Sequence, residues 1–135
     1  MATKSIWENS DKVNRQYMPS FKIIKNHYNQ SSLVIQNSVA PDDTLINILK
    51  DGSIKARDRY TIEIKAGHVY HPVAKYINHS CQPNAYVDID TGCINSLYYL
   101  TKGTHITIDY HITESNILES FDCACGSPNC KGHIS

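Results

Sequence analysis

Four of the five cysteines in this chain fall in two short polar stretches, Asn78 to Asn84 (NHSCQPN) and Cys123 to Cys130 (CACGSPNC). Clustered thiols outside a secreted disulfide framework point to metal, and thiolate sulfur suits zinc. Cys123, Cys125 and Cys130 follow a C-x-C-x4-C spacing, with Gly126 for the tight turn. That gathers three thiolates and leaves a tetrahedral ion one ligand short. Cys81 is the natural fourth. A closed shell of four sulfurs at about 2.3 Å from zinc has no open position for a reactive water, so the ion is expected to be structural. His133 lies near enough in sequence to compete as a ligand, and free buried cysteines are the plain alternative; Cys93 is left over. Such a knot ties the end of the chain to its middle, and the tail then closes over whatever binds near Asn78 and His79.

The whole chain bounds what such a site could serve. At 135 residues it has the size of one domain and can bury a core without a lattice of disulfides. Lys plus Arg and Asp plus Glu number 13 each, so no broad electrostatic footprint indicates DNA or an anionic membrane, and a basic tail would have to be held by local acids. No run approaches the roughly 20 apolar residues that span a bilayer, and no charged start precedes an apolar core at the N-terminus. The expectation is an intracellular, cytoplasmic protein without direct nucleic-acid or membrane partners. Its oligomeric state is not written in the sequence.

Nine tyrosines, many β-branched residues and frequent turn signals favour short strands. Phe21, Ile23 and Ile24 suggest a first strand. Ser32 to Asn37 reads as a buried strand, Ala40 to Asp43 as a turn, and Thr44 to Leu49 as the strand returning beside the first in a hairpin. Asp51-Gly52 turns the chain before the alternating Tyr60 to Lys65, and Ala66-Gly67 turns it again before Val69 to Pro72. A single helical turn is expected over His71 to Tyr76, leading into the polar loop at Asn78. Ala85 to Ile89 pairs with Cys93 to Leu100 across Asp90-Thr91-Gly92, and Thr104 to Tyr110 supplies a last strand. Residues 111 to 120 form a connector of weak helical character before the cysteine tail. The architecture is therefore mainly β.

Three blocks in order, Lys75 to Asn84 (KYINHSCQPN), Gly103 to Tyr110 (GTHITIDY) and Phe121 to Gly132 (FDCACGSPNCKG), resemble the SET domain with its post-SET tail. The resemblance runs from about Ser31 to the C-terminus. It implies a compact β fold of short strands in which the NHSC segment passes through a pseudoknot near the DY segment, with residues 1–30 packing on the domain, 31–112 forming the SET domain and 113–135 a zinc-binding post-SET segment. It also implies an S-adenosyl-L-methionine-dependent methyltransferase acting on a lysine side chain of a protein or peptide, a histone being one such acceptor, and a nuclear location if the protein is eukaryotic or viral and chromatin-directed.

Methyl transfer from a sulfonium to an amine is an in-line displacement, so alignment, exclusion of water and an uncharged amine are what a protein must provide. A lysine with a free pKa of about 10.4 sheds its proton more readily in a desolvated channel beside a positive sulfonium. No dedicated base is needed. The resemblance gives Tyr110 the role of orienting the amine through its phenol, and makes Asn78, His79, Tyr76 and Phe121 cofactor contacts, Asn78 through its amide and His79 largely through its backbone. Tyr110 as a strand-end core tyrosine and Asn78-His79 as a self-bonded polar loop are the alternatives. His71, His105 and His111 read as ordinary surface or packing histidines.

Four departures from the family pattern bear on function. The usual Gly-x-Gly cofactor loop is replaced by Ser31, Ser32 and Leu33, which alters how closely backbone can approach the cofactor. Only Asp51 to Arg59 stands where a longer insert often builds the substrate groove. Ile108 occupies a position frequently aromatic, which argues against strict monomethylation, and Lys75 replaces a frequent arginine while still able to meet a carboxylate as a point charge. The alternatives to a protein-lysine methyltransferase are a catalytically degenerate SET-fold binding module and an enzyme acting on a small amine.

Overall fold

The computed structural model describes residues 19–135; the first 18 positions of the expected N-terminal segment lie outside the described residues. In chain order the strands are β1 (Phe21–Lys25), β2 (Ser31–Ile35), β3 (Thr44–Asn47), β4 (Ser53–Ile54), β5 (Ile62–Ile64), β6 (Gly67–Tyr70), β7 (Asn78–His79), β8 (Ala85–Asp88), β9 (Cys93–Ser96), β10 (Thr107–Ile108), β11 (Phe121–Asp122) and β12 (His133–Ile134). A 3-10 turn, Ala74–Tyr76, precedes β7, and one short helix, α1 (Tyr110–Thr113), follows β10. The mainly β expectation holds.

Pairing departs from the expected hairpin. β2 does not pair with β3; it pairs antiparallel with β1, Phe21 opposite Ile35. The 26–30 turn between them is built by Asn26, whose Oδ1 accepts from the backbone N–H groups of Tyr28 and Gln30. The other edge of β2 is filled by residues 103–106: Ile35 N–H donates to the Thr104 carbonyl at 3.0 Å, Gly103 N–H to Ile35 and Ile106 N–H to Leu33, both at 2.8 Å. With both edges taken, β3 turns elsewhere. It pairs with β9, which pairs with β8, giving a three-stranded antiparallel sheet. The Ala40 to Asp43 turn forms as expected, yet Ser96 holds it, since the Ser96 hydroxyl donates to the Ala40 carbonyl at 2.6 Å and the Asp42 N–H donates to the Ser96 carbonyl.

The second three-stranded sheet has the order β4-β6-β5. Its entry is the Asp51-Gly52 turn, where a Cβ on Gly52 would stand 1.9 Å from the Ile48 carbonyl oxygen, a contact no side chain can make. The expected single strand from Thr104 to Tyr110 is divided between two tasks. Its first part closes the edge of β2, and β10 pairs parallel with β7.

The core collects β-branched and leucine side chains from nearly every strand, with Leu33, Ile35, Ile48, Ile94 and Ile106 excluded from solvent. Each such side chain contributes roughly 1.5–3 kcal/mol through burial. The edge of this core lies under Tyr76 and Tyr110, which pack half-buried against it. The loop that carries the polar motifs is thus seated on a packed floor.

Candidate functional site

His71 begins the site. Its Nδ1 accepts from the N–H groups of Val73 and Ala74, both at 3.1 Å, and so starts the 3-10 turn that aims the chain into β7. Burial holds its imidazole below the ordinary value, so the acceptor nitrogen stays free of a proton. The packing role expected for His71 is what the structure gives.

β7 and β10 share a two-residue parallel ladder, Asn78 beside Thr107 and His79 beside Ile108. That ladder brings the NHSC and DY blocks together. Immediately beyond it, Tyr110 N–H donates to His79 Nδ1 at 3.0 Å, and the Tyr110 hydroxyl donates to the Ile77 carbonyl at 2.7 Å. Burial pushes the Tyr110 phenol up to about 12. Because His79 Nδ1 accepts a backbone proton, the neutral ring carries its hydrogen on Nε2, which stands 3.3 Å from the Cys81 sulfur. The 3.7 Å approach of Nδ1 to the Asp109 carboxylate is therefore proximity rather than an ion pair, and burial, the strongest influence on the ring, lowers its pKa. Asp109 instead caps α1 by accepting from His111 N–H at 2.9 Å.

Asn78 is half-buried, and its amide donates to the Ser31 carbonyl at 3.0 Å, leaving its oxygen available. The Ser31 to Leu33 stretch that stands for the missing glycines is itself part of β2 and faces this amide through backbone. Tyr76 lies half-buried against the core, with the Lys75 ammonium 5.1 Å from its ring. Lys75 is also held by the Tyr70 hydroxyl at 2.9 Å, and that hydrogen bond raises its pKa. Phe121 closes the other side: its ring centroid is 5.8 Å from Tyr110 and 5.7 Å from His79, each edge to face. The structure thus brings Asn78, His79, Tyr110 and Phe121 into one neighbourhood, with Tyr76 at the end of the turn that leads into it.

The four thiols also come together. Cys81, Cys123, Cys125 and Cys130 have sulfurs all within 4.8 Å of one another, and Cys81 and Cys123 are 3.9 Å apart. Sulfurs bound tetrahedrally to zinc at about 2.3 Å stand roughly 3.8 Å from each other, so the donor set fits that ion. Lys131 N–H approaches the Cys81 sulfur at 3.4 Å, and the Ser127 hydroxyl lies 3.2 Å from Cys125. These donors favour thiolate charge. Contact with Ser127 brings Cys125 down to about 5, while burial drives Cys123 up to about 12, an asymmetry that a shared cation would remove. His133 turns from the cluster to the Asp122 carboxylate at 2.9 Å, and Cys93 lies apart in β9.

Several residues that position the site were assigned no such role from the sequence. Asn84 bridges its loop to the 105–107 segment, donating to the His105 carbonyl at 2.8 Å and accepting from Thr107 N–H at 2.9 Å. His111 contacts the Lys131 ammonium at 2.9 Å and the Ser135 carbonyl at 3.2 Å, joining α1 to the tail. Asn129 reaches back to the Cys81 carbonyl. Only the Asn at the end of the NHSCQPN motif could have been suspected from its place.

Comparison with known proteins places this geometry in a familiar setting. Among curated proteins, the chain is 29% identical over 127 aligned residues to the histone-lysine N-methyltransferase set-2 of Caenorhabditis elegans, covering 76% of this chain and 8% of that protein. It is 42% identical over 65 residues to an H3 lysine-36 specific histone-lysine N-methyltransferase of Debaryomyces hansenii, covering 43% of this chain and 9% of the relative. The chain therefore spans less than a tenth of the length of these relatives. A solved structure of KRYPTONITE in complex with mCHH DNA, an H3(1-15) peptide and SAH superposes with a TM-score of 0.63 at 15% identity, over 87% of this chain and 30% of that one. That likeness is one of fold. The family model for the SET domain matches residues 2–111, most of the chain, and the chain belongs to the SET-domain family.

Proposed function

We propose that this chain is an S-adenosyl-L-methionine-dependent methyltransferase that transfers methyl groups to a lysine side chain of a protein or peptide, with Tyr110 as the catalytic residue. The observation that carries this reading is the short parallel ladder between β7 and β10, which sets Asn78 and His79 beside the strand leading to Tyr110. Asn78, His79, Tyr76 and Phe121 are the proposed cofactor contacts, and Cys81, Cys123, Cys125 and Cys130 the proposed zinc ligands. Residues 31–112 form the catalytic unit in this reading and residues 113–135 the closing tail.

When bound, S-adenosylmethionine supplies an electrophilic methyl group on a positive sulfonium. The chain supplies alignment. Tyr110 donates its hydroxyl hydrogen bond to the Ile77 carbonyl, so its oxygen keeps lone pairs to accept an N–H from the incoming amine and turn the nitrogen's own lone pair toward the methyl group. A phenol whose pKa lies near 12 stays neutral while it does this. Phe121 and the tail exclude water, and desolvation favours the uncharged amine. Cys81, Cys123, Cys125 and Cys130 would hold a zinc ion that fixes the tail and, with four thiolates, offers no open position for chemistry.

The names of the relatives support a histone lysine as acceptor and chromatin in a eukaryotic nucleus as the place of action, and a balance of 13 basic and 13 acidic residues supports a peptide rather than a nucleic-acid partner. The test is incubation with labelled S-adenosylmethionine and histone peptides, followed by mass spectrometry. Label on a lysine, lost in Tyr110→Phe, is the expected result; no label on any acceptor, together with saturable cofactor binding, would exclude the assignment. A second reading, a binding module that has lost catalysis, is favoured by the Asn78 amide already bonded to Ser31. Absence of saturable S-adenosylmethionine binding in calorimetry would select it.

A further inference from the structure

A second gathering of ligand-type side chains lies outside the cysteine cluster. Glu63, His68 and Glu114 each place a donor atom within 4.8 Å of the other two. Glu63 on β5 and His68 on β6 are direct cross-strand partners, so the antiparallel register sets them side by side. Glu114 follows α1 and is fixed there because its carboxylate accepts the Glu63 N–H at 3.0 Å. Glu63 in turn accepts from the Ser115 N–H at 2.8 Å and the Ser115 hydroxyl at 2.5 Å. Two carboxylates are thereby clamped in place beside one imidazole.

What this arrangement lacks is a partner for the imidazole. His68 Nδ1 is shut off from solvent and has no hydrogen-bond partner among the described residues. A buried polar nitrogen left so is unfavourable, and two neighbouring carboxylates repel. Arg57 is a nearby cation, but its guanidinium donates to the Asn116 carbonyl at 2.6 Å. A divalent ion would answer both demands together. Two carboxylate oxygens with one imidazole nitrogen suit zinc, manganese, iron or cobalt, whereas calcium and magnesium favour oxygen alone. Donors at about 2.0–2.2 Å from such an ion stand roughly 3–4 Å apart, so small side-chain rotations close the set. A cavity of about 250 Å³ borders the two carboxylates, its walls including Glu63, Lys65, Thr113, Glu114 and Ser115 but not His68.

We propose that Glu63, His68 and Glu114 form a divalent-cation site, separate from the cysteine cluster, that pins the segment after Tyr110 to the β5-β6 hairpin. Its ligands come from both sides of that contact, so the ion stiffens the seat of α1 without entering the chemistry.

The test uses the full chain with its cysteine cluster zinc-loaded. Titration with Mn²⁺, followed by electron paramagnetic resonance, is expected to show one saturable site, because manganese disfavours thiolates. Added Co²⁺ should give weak d–d bands without the intense thiolate charge-transfer bands of a sulfur site. His68→Gln and Glu114→Gln should each weaken Mn²⁺ binding by about tenfold or more while zinc content and the circular dichroism spectrum stay unchanged. Uptake that never saturates, binding equal in both variants and the native chain, or Co²⁺ that reports sulfur ligation would each overturn the proposal.

Discussion

Tyr110 is where a single atom decides most. Removing its oxygen in Tyr110→Phe deletes the bond to the Ile77 carbonyl and the proposed acceptor for the amine, yet leaves the ring against Phe121 and His79. Turnover is expected to fall about 100-fold or more, with cofactor affinity changed by less than about threefold, since positioning acts on the reaction rather than on cofactor binding. Single-turnover assays and calorimetry on one preparation check both halves. The raised phenol makes a second prediction. Its proton is held more tightly folded than unfolded, so the stabilisation is complete below pH of about 10 and fades as pH climbs toward 12, worth roughly 2–3 kcal/mol. Absorbance titration at alkaline pH should show one tyrosine ionising late, and that component should vanish in Tyr110→Phe. The cysteine cluster could be suspected from residue type and spacing, and the roles proposed for Tyr110 and Asn78 from the resemblance of the blocks that carry them. Glu63, His68 and Glu114 could not, because 46 or more positions separate the third from the others and only the fold closes the distance.

At the scale of elements, the sequence showed which segments extend but not which edges meet. Alternation in Tyr60 to Lys65 and the turn signals at Asp51-Gly52 and Gly92 announced β5, β6, β8 and β9 correctly. The hairpin of β2 with β3 failed because strand edges are a shared resource: β1 and residues 103–106 occupy both sides of β2. Local pattern carries no information about such long-range competition. His71 gives the element-level prediction. Its ring holds the turn before β7 only while unprotonated, and its pKa is depressed by burial, with Asp51 acting in the opposite sense. The stability it contributes is present above the ordinary imidazole value of about 6.5 and is lost as pH falls through its lower folded value. Denaturant midpoints should drop on acidification, and His71→Ala, which leaves two N–H groups without an acceptor, should cost about 1–3 kcal/mol at neutral pH and flatten that dependence.

For the whole molecule, the tail is the part whose attachment the proposed zinc ligands would make dependent on metal. Apart from the buried Thr113 and Ile134, residues 111–135 are half-buried or exposed; Glu114, Ser115, Asn116 and Glu119 tie the start of the segment to the domain, and Asn129 and Lys131 tie its end to Cys81. Chelation should release the tail to protease while the core sheets keep their circular dichroism, and methyl transfer should cease as Phe121 leaves Tyr110. Readdition of zinc should restore both. An intact tail after complete zinc removal would contradict the proposed ligand set. No helix of the described residues is long and apolar enough to cross a membrane.

The span between Cys81 and Cys123, 42 positions apart, has a consequence for the order of assembly. Joining these two sulfurs through one ion turns the chain from β8 through α1 into a closed ring. Ring closure over that length carries an entropic penalty that grows only as the logarithm of the loop, and prior packing of the enclosed strands removes most of it. Capture of the metal is thus expected to follow the packing of the strands: a nascent chain without zinc should already hold its two three-stranded sheets, and the ion arrives as a seal on finished work.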